Sequence, residues 1–541
     1  MQRFEGAIPS HDVGGMITPL YYDKWPSVDP AAKAIRMDAE PDSGNYTGVY
    51  LAAESWRYAM AKEKLKRLGT NGDATQIAFW SAQRNEALAR GTEITRYYHV
   101  LVNIAEKWQT TFDPKIDQSK EPLELGWLDY GGGVIKGQKG LLMRACTPID
   151  PTRPAYQDLR YNHAPTGKLL GPFKFEGRQW YCLNSTSRDS YAGTVFGLSV
   201  ALDLIGSGEN RSLRKSLAND LMAIADYAYK YYGLQPRPHG RVAVPGYAND
   251  LEGPISPLFF PQAPIQRLHL LQTARHAAHV VGNKVKIAKY DALWAHEVAA
   301  TVATGQVHLN ALFDASQPHD AYYKYQLELM SFFNVIRLER NDATRNLLRN
   351  SLSPMWASLS DDGNAFFEAM IYALTGQRGV LDLAVRHHRE WLDYYAFHEY
   401  NARRGVTPFI HQVRCDNGPA APNAPIEDQP LKCVPRAQVD MIVSRPGGGK
   451  PIVTAVPVNL SDVPPGTNPG MRAKDPLPVG VRRLADFLWQ KDPTVITGDH
   501  NVPWQGPSID FLVSYWMLRY YTEIAQPAVN PLPAWGGPRF K

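Results

Sequence analysis

SYAGTVFGLSVALDLI at 190–205 and SLRKSLANDLMAIADYAYKYY at 212–232, joined by GSGEN at 206–210, decide the fold. The first stretch is apolar on nearly every side of a helix, while the second carries a polar stripe. Apolarity all round means burial on both sides, and a polar stripe means one face to solvent. The two therefore form a helical hairpin with one inner and one outer arm.

The same alternation recurs along the chain. NAFFEAMIYAL (364–374) is again apolar all round, and LDLAVRHHREWLDYYAF (381–397) is amphipathic. Apolar spacing predicts helices over 45–68, 76–112, 189–206, 212–232, 264–281, 288–302, 320–339, 342–358, 364–375, 379–397 and 508–526. Within each pair the connection is short, as in NKV or GQRG. Between pairs it is mostly long, as at 113–188, 233–263, 303–319 and 398–507. Short tips on one side and elaborated loops on the other describe a mainly α protein built as an (α/α)6 toroid, with the long loops on one rim. A solenoid of helix pairs would repeat in sequence at a fixed period, and no such repeat is present. The expected organisation is an extended N-terminal segment (1–44), a helical body (45–397), a long insertion (398–507) and a final inner helix with a tail (508–541). VDMIVSR and PIVTAVPVN in the insertion are candidates to pair as strands.

Composition supports a real core and excludes several functions. The 541 residues are 44% hydrophobic and 21% charged, so the chain is not a disordered one. A net charge of +5, spread along the chain, gives no nucleic-acid signature. No apolar run approaches the roughly 20 residues a membrane helix needs. The opening MQRFEGAIPSHDVGG lacks the basic and apolar regions of a secretory leader and fits a mature chain start. Cys415 and Cys433 bracket a Pro- and Asn-rich stretch that a disulfide would close, which would place maturation in an oxidising compartment, secreted or periplasmic. Two free thiols are the alternative. GGGVIKGQKG (131–140) lacks the order of a phosphate-binding loop, and no metal-ligand spacing appears, so neither cofactor nor metal is expected. The oligomeric state is not encoded legibly.

The pattern of inner and outer helices resembles the (α/α)6-toroid carbohydrate-active enzymes, the glycoside hydrolases, polysaccharide lyases and sugar epimerases. The resemblance is architectural and transfers no catalytic residue. It implies a carbohydrate substrate and a site at the rim where the inner helices begin. Those starts carry Asp42, Asp189, Asp320, Asp361, Asp362 and Asp510. Such residues cap helices in any protein, yet a ring of carboxylates is also what acid/base cleavage of a glycosidic bond requires. Asp189 is the leading general acid, and Asp42, Asp320, Asp361, Asp362 and Asp510 compete to be the second carboxylate, with Asp320 and Asp42 put first. Arg188, Tyr191, Trp180, His319, Asp361 and Asp510 are candidates for binding the sugar. The loop at 233–263 gathers His239, Arg241 and Tyr247, which suit a lyase or epimerase acting on a uronic acid. A helical scaffold that binds glycan or protein without turnover is the alternative outside enzymes.

Overall fold

The computed structural model describes residues 43–107, 139–149, 169–183, 188–229, 263–315, 322–402 and 509–536, with short breaks, and isolated strands and turns elsewhere. The protein is mainly helical. Among the described residues there are twelve α-helices: α1 (Ser43–Leu68), α2 (Ala74–Asn103), α3 (Arg188–Leu204), α4 (Arg211–Tyr229), α5 (Ala263–Val281), α6 (Lys284–Glu297), α7 (Gln306–Ala315), α8 (Tyr323–Leu338), α9 (Asp342–Leu359), α10 (Ala365–Thr375), α11 (Arg378–Ala402) and α12 (Ile509–Glu523). Eleven match the helices expected from apolar spacing. The unexpected one, α7, falls in a gap read as loop. Helix α2 ends at Asn103, nine residues short of the expected end, in a 3-10 turn followed by strand Gln109–Thr111, which pairs with Val134–Lys136.

Six helices form the inner layer, packed in the order α1, α3, α5, α8, α10, α12, with α12 back against α1. Residues 190–202 of α3 are buried without a break, as are most of α8 and the first half of α10. Helices α2, α4, α6, α9 and α11 pack outside them, each on its hairpin partner or the next inner helix. Local chemistry sets the hairpin tips. Asp73, Asn283, Asn341 and Asn364 each cap the following helix by accepting a backbone N–H. Gly376 ends α10 in the left-handed conformation at φ 62°.

The contact between α1 and α3 is unusually close. A Cβ on Gly48 would lie 2.0 Å from the Gly193 carbonyl oxygen, and one on Gly197 would lie 2.2 Å from that of Gly48. Only glycines let the two backbones meet at this distance, which draws the starts of the two helices together.

Before α3 stands a three-stranded antiparallel sheet in the order β1–β3–β2, made of β1 (Ala145–Pro148), β2 (Leu169–Phe175) and β3 (Arg178–Leu183). Cys146 and Cys182 face each other across β1 and β3 and form a disulfide. The sequence offered no partner for Cys146, because the pairing is a matter of strand register. Of the expected Cys415–Cys433 pair, Cys433 lies outside the described residues. In the insertion, β4 (Val413–Cys415), β5 (Arg436–Val443) and β6 (Ile452–Asn459) form a second antiparallel sheet, with Val443 opposite Ile452. The two segments singled out as strands therefore do pair. No helix among the described residues is long and apolar enough to cross a membrane.

Candidate functional site

Aromatic side chains fill the middle of the inner layer. Trp56 of α1 meets Phe196 of α3, Phe333 of α8 and Tyr521 of α12 with ring centroids 6.2, 6.4 and 6.4 Å away. Phe196 also meets Phe333 at 5.9 Å and Phe366 of α10 at 6.2 Å. Edge-on contacts at such distances are the favourable arrangement for ring quadrupoles. Beyond this layer, towards the C-terminal ends, a polar network crosses three helices. Arg337 donates to Asp203 (2.6 Å), Ser199 (2.7 Å) and Asn334 (2.8 Å), and His276 meets Asp203 at 2.6 Å. Asn334 in turn donates to Nε2 of fully buried His269 at 2.9 Å, which assigns the ring proton to Nδ1, facing Ser331 Oγ at 3.2 Å. Burial lowers the His269 pKa to about 3, so the ring is neutral. Burial by itself would raise Asp203, but the Arg337 charge and the His276 hydrogen bond outweigh it and hold the carboxyl at about 2.

On the N-terminal side the aromatic layer becomes the floor of a candidate site. Residues four, seven or eleven positions apart share a face of a helix. Counting back from Trp56 by eleven gives Asn45, and from Phe196 by seven gives Asp189. From Phe333 by seven and eleven come Gln326 and Tyr322, and from Tyr521 by eleven Asp510; Asp362 stands outside this count, in the turn before α10. Contacts support this placement. Asn45 Nδ2 donates to Gln326 Oε1 at 3.4 Å, and the Tyr322 hydroxyl donates to Asp362 Oδ2 at 2.9 Å. The Tyr322 ring stacks on Phe367 at 5.8 Å, which fixes its hydroxyl. Asn45, Gln326, Asp362 and Asp510 are buried, and Asp189 is half-buried.

The sequence candidates divide accordingly. Asp189 and Asp510 stand in the first turns of α3 and α12, and the Asp510 carboxylate accepts the Phe511 N–H at 3.1 Å. Arg188 opens α3. Asp361 is exposed, and its neighbour Asp362 holds the buried position instead. Tyr191 belongs to the packing: its hydroxyl accepts the Leu142 N–H at 3.0 Å and donates to the Gly140 carbonyl at 3.4 Å. Trp180 is buried in the β-sheet and donates to the Phe175 carbonyl at 3.1 Å. Asp42, Asp320, His319, His239, Arg241 and Tyr247 lie outside the described residues. Tyr322, Asn45 and Gln326 were missed, because each acquires meaning only from the helical phase of the aromatic floor. Buried Glu328 and Glu368 were also missed. An acid inside an otherwise apolar helix, as in QLELMSFF and NAFFEAM, was the available signal. Glu368 turns outward to His387 of α11, Oε1 to Nδ1 2.6 Å, and so ties the two layers together.

No group of three or more potential metal ligands occurs among the described residues. No protein-family model matches the chain, and neither a curated protein nor a solved structure does.

Proposed function

We propose that the six inner helices close an (α/α)6 toroid and that the protein is a glycoside hydrolase working at the N-terminal mouth of that ring. The reading is supported by polar side chains at the starts of the buried helices: Asp189 and Asp510 in the first turns of α3 and α12, Asp362 on the Tyr322 hydroxyl, and Asn45 on Gln326. Flat rings accept the apolar faces of pyranoses, amides bond their hydroxyls, and paired carboxyls cleave the bond between them. Asp362 accepts the Tyr322 hydroxyl, which fixes the orientation of its carboxyl, and it is the candidate base or nucleophile. Half-buried Asp189 is the candidate general acid. The disulfide suits an oxidising compartment, and we infer a secreted or periplasmic protein.

A polysaccharide panel read by new reducing ends and by ultraviolet absorbance of unsaturated products tests the proposal. Reducing ends without absorbance are expected. Asp189→Asn and Asp362→Asn are expected to lower turnover by ~10²–10⁴-fold, the usual contribution of a positioned acid or base, with ligand binding kept within about tenfold. Absorbance together with reducing ends would reassign the reaction to elimination. Glycan binding with no turnover on any substrate would favour the non-catalytic scaffold.

A further inference from the structure

The β2–β3 hairpin leads to α3 and is held at both ends by different chemistry. At its base, the Cys146–Cys182 disulfide and the bond from Arg144 N–H to the Leu183 carbonyl (2.9 Å) fix it to β1. At its tip, Glu176 and Gly177 form a two-residue turn with φ of 47° and 77°. Both central residues are left-handed, as a type I′ hairpin demands, and glutamate rarely adopts that conformation.

The turn aims the Glu176 carboxylate at α2. Its Oε2 lies 3.5 Å from Arg96 Nε, and its Oε1 lies 3.9 Å from His99 Nε2. The other side of the imidazole is occupied. Nδ1 sits 3.0 Å from both oxygens of fully buried Asp220 on α4, which also accepts Asn103 Nδ2 at 3.1 Å. Nδ1 thus keeps its proton for Asp220, and the proton that His99 gains or loses is the one on Nε2, facing the hairpin.

We propose that His99 is a pH-responsive latch: the imidazolium holds the Glu176 tip on α2, and the neutral ring lets it go. Deprotonation removes the positive charge 3.9 Å from the carboxylate and leaves a lone pair on Nε2, so the ion-pair attraction is lost. Asp220 from α4 and Glu176 from the hairpin favour the charged ring, whereas Lys139 opposes it. Arg96, on the same helix as His99, competes for the carboxylate through its other oxygen. The Phe175 ring packs 6.1 Å from the imidazole. The hydrogen bond to Asp220 is the largest influence and outweighs burial, so the His99 pKa lies above its ordinary 6.5. The latch is therefore closed in acid and opens as pH rises through that raised value. Beside the tip, Glu93, Arg96, Tyr97, Glu176, Arg178 and Trp180 line a small groove open to solvent. This inference is independent of the carbohydrate reading, because its readouts are a titration and an exchange rate.

The test uses the full chain. His99 is followed by NMR with labelled histidine, and amide hydrogen exchange at 176–179 is measured at pH 6 and pH 8.5, corrected for intrinsic rates. Wild type is expected to titrate above 6.5 and to lose tip protection several-fold at the higher pH. Glu176→Gln is expected to lower the midpoint by several tenths of a pH unit and to flatten the exchange difference. His99→Gln should show the same flat, low protection. Glu176 is partly exposed, so its variant carries the test even if His99→Gln does not fold. Protection independent of pH in wild type, or a His99 midpoint unmoved in Glu176→Gln, would overturn the latch.

Discussion

Replacing Gly193 by alanine tests the closest contact in the inner layer. The new Cβ would meet Asn45 on α1, 2.3 Å from Oδ1, 2.4 Å from Cα and 2.6 Å from the carbonyl oxygen. Carbon atoms pack at about 3.5–4.0 Å, so the helices must part by roughly 1 Å or more. Two of the three atoms belong to the backbone, and no rotamer change relieves them. Overpacking a core costs ~1–3 kcal/mol, and a backbone clash belongs at the upper end. Alanine recovers ~1 kcal/mol of helix propensity, which leaves a net loss of about 2 kcal/mol. Urea unfolding followed by circular dichroism measures it. Gly379→Ala is the matched control, because nothing lies within 4 Å of its would-be Cβ. It is expected to be neutral or stabilising by up to ~1 kcal/mol. A Gly193→Ala protein as stable as wild type, or equal losses in both variants, would refute the close-packing argument. Because Asn45 lies at this contact and Asp189 one turn before Gly193, Gly193→Ala is also expected to lower activity on the proposed substrate.

Removing the disulfide with Cys146→Ser and Cys182→Ser frees a loop of 36 residues' separation. Chain entropy gives a loss of about 4 kcal/mol, measured by urea titration without reductant. Arg337→Met leaves the three-quarters-buried Asp203 without its main counter-charge and is expected to cost ~2–4 kcal/mol, discounted from the fully buried case. In wild type the Asp203 contribution is complete above the ordinary carboxylate range and disappears as pH falls through about 2. Arg337→Met should therefore lose less stability than wild type in an acid titration. His269 acts in the opposite sense to a paired histidine. Neutral in the fold with a pKa of about 3, it gains a proton on unfolding, so each pH unit below its ordinary value costs up to ~1.4 kcal/mol. A His269→Gln variant should be less stable at pH 7 yet show a shallower decline between pH 6 and 4.

How far the sequence revealed this arrangement depends on what each feature needs. Hairpins need only local periodicity and short polar tips, and these were legible: GSGEN, NKV and GQRG fall between α3 and α4, α5 and α6, and α10 and α11. Helix α7 was not, because its buried stripe is made of the small residues Val307, Ala311 and Ala315 while Leu309 and Phe313 are exposed, so apolar size does not mark the buried face. Cys146–Cys182 depends on register within a sheet whose strands are separated by a long connection, and spacing along the chain holds no trace of that.

The choice between Asp361 and Asp362 shows the limit most clearly. The two lie in the turn between α9, which ends at Leu359, and α10, which begins at Ala365, so helical periodicity places neither of them. The start of α10 is set by the cap that follows. Gly363 takes a left-handed φ of 63°, and the Asn364 side chain accepts the Phe367 N–H at 3.3 Å. That start places Phe366 against Phe196 and Phe367 against Tyr322. Asp362 is buried with the Tyr322 hydroxyl on its carboxylate, while Asp361 is exposed. An aspartate pair at a helix start therefore identifies the region of the site, and the cap with its first buried aromatic identifies the residue. The same reasoning separates Asp189, a multiple of helical turns from Phe196, from Tyr191, whose hydroxyl is turned towards the backbone at 140–142. Candidate chemistry in this protein thus depends on where each helix starts as well as on its phase, and loosening the start of α10, as by Asn364→Ala at its cap, should disturb Asp362 while leaving the number of carboxylates at the rim unchanged.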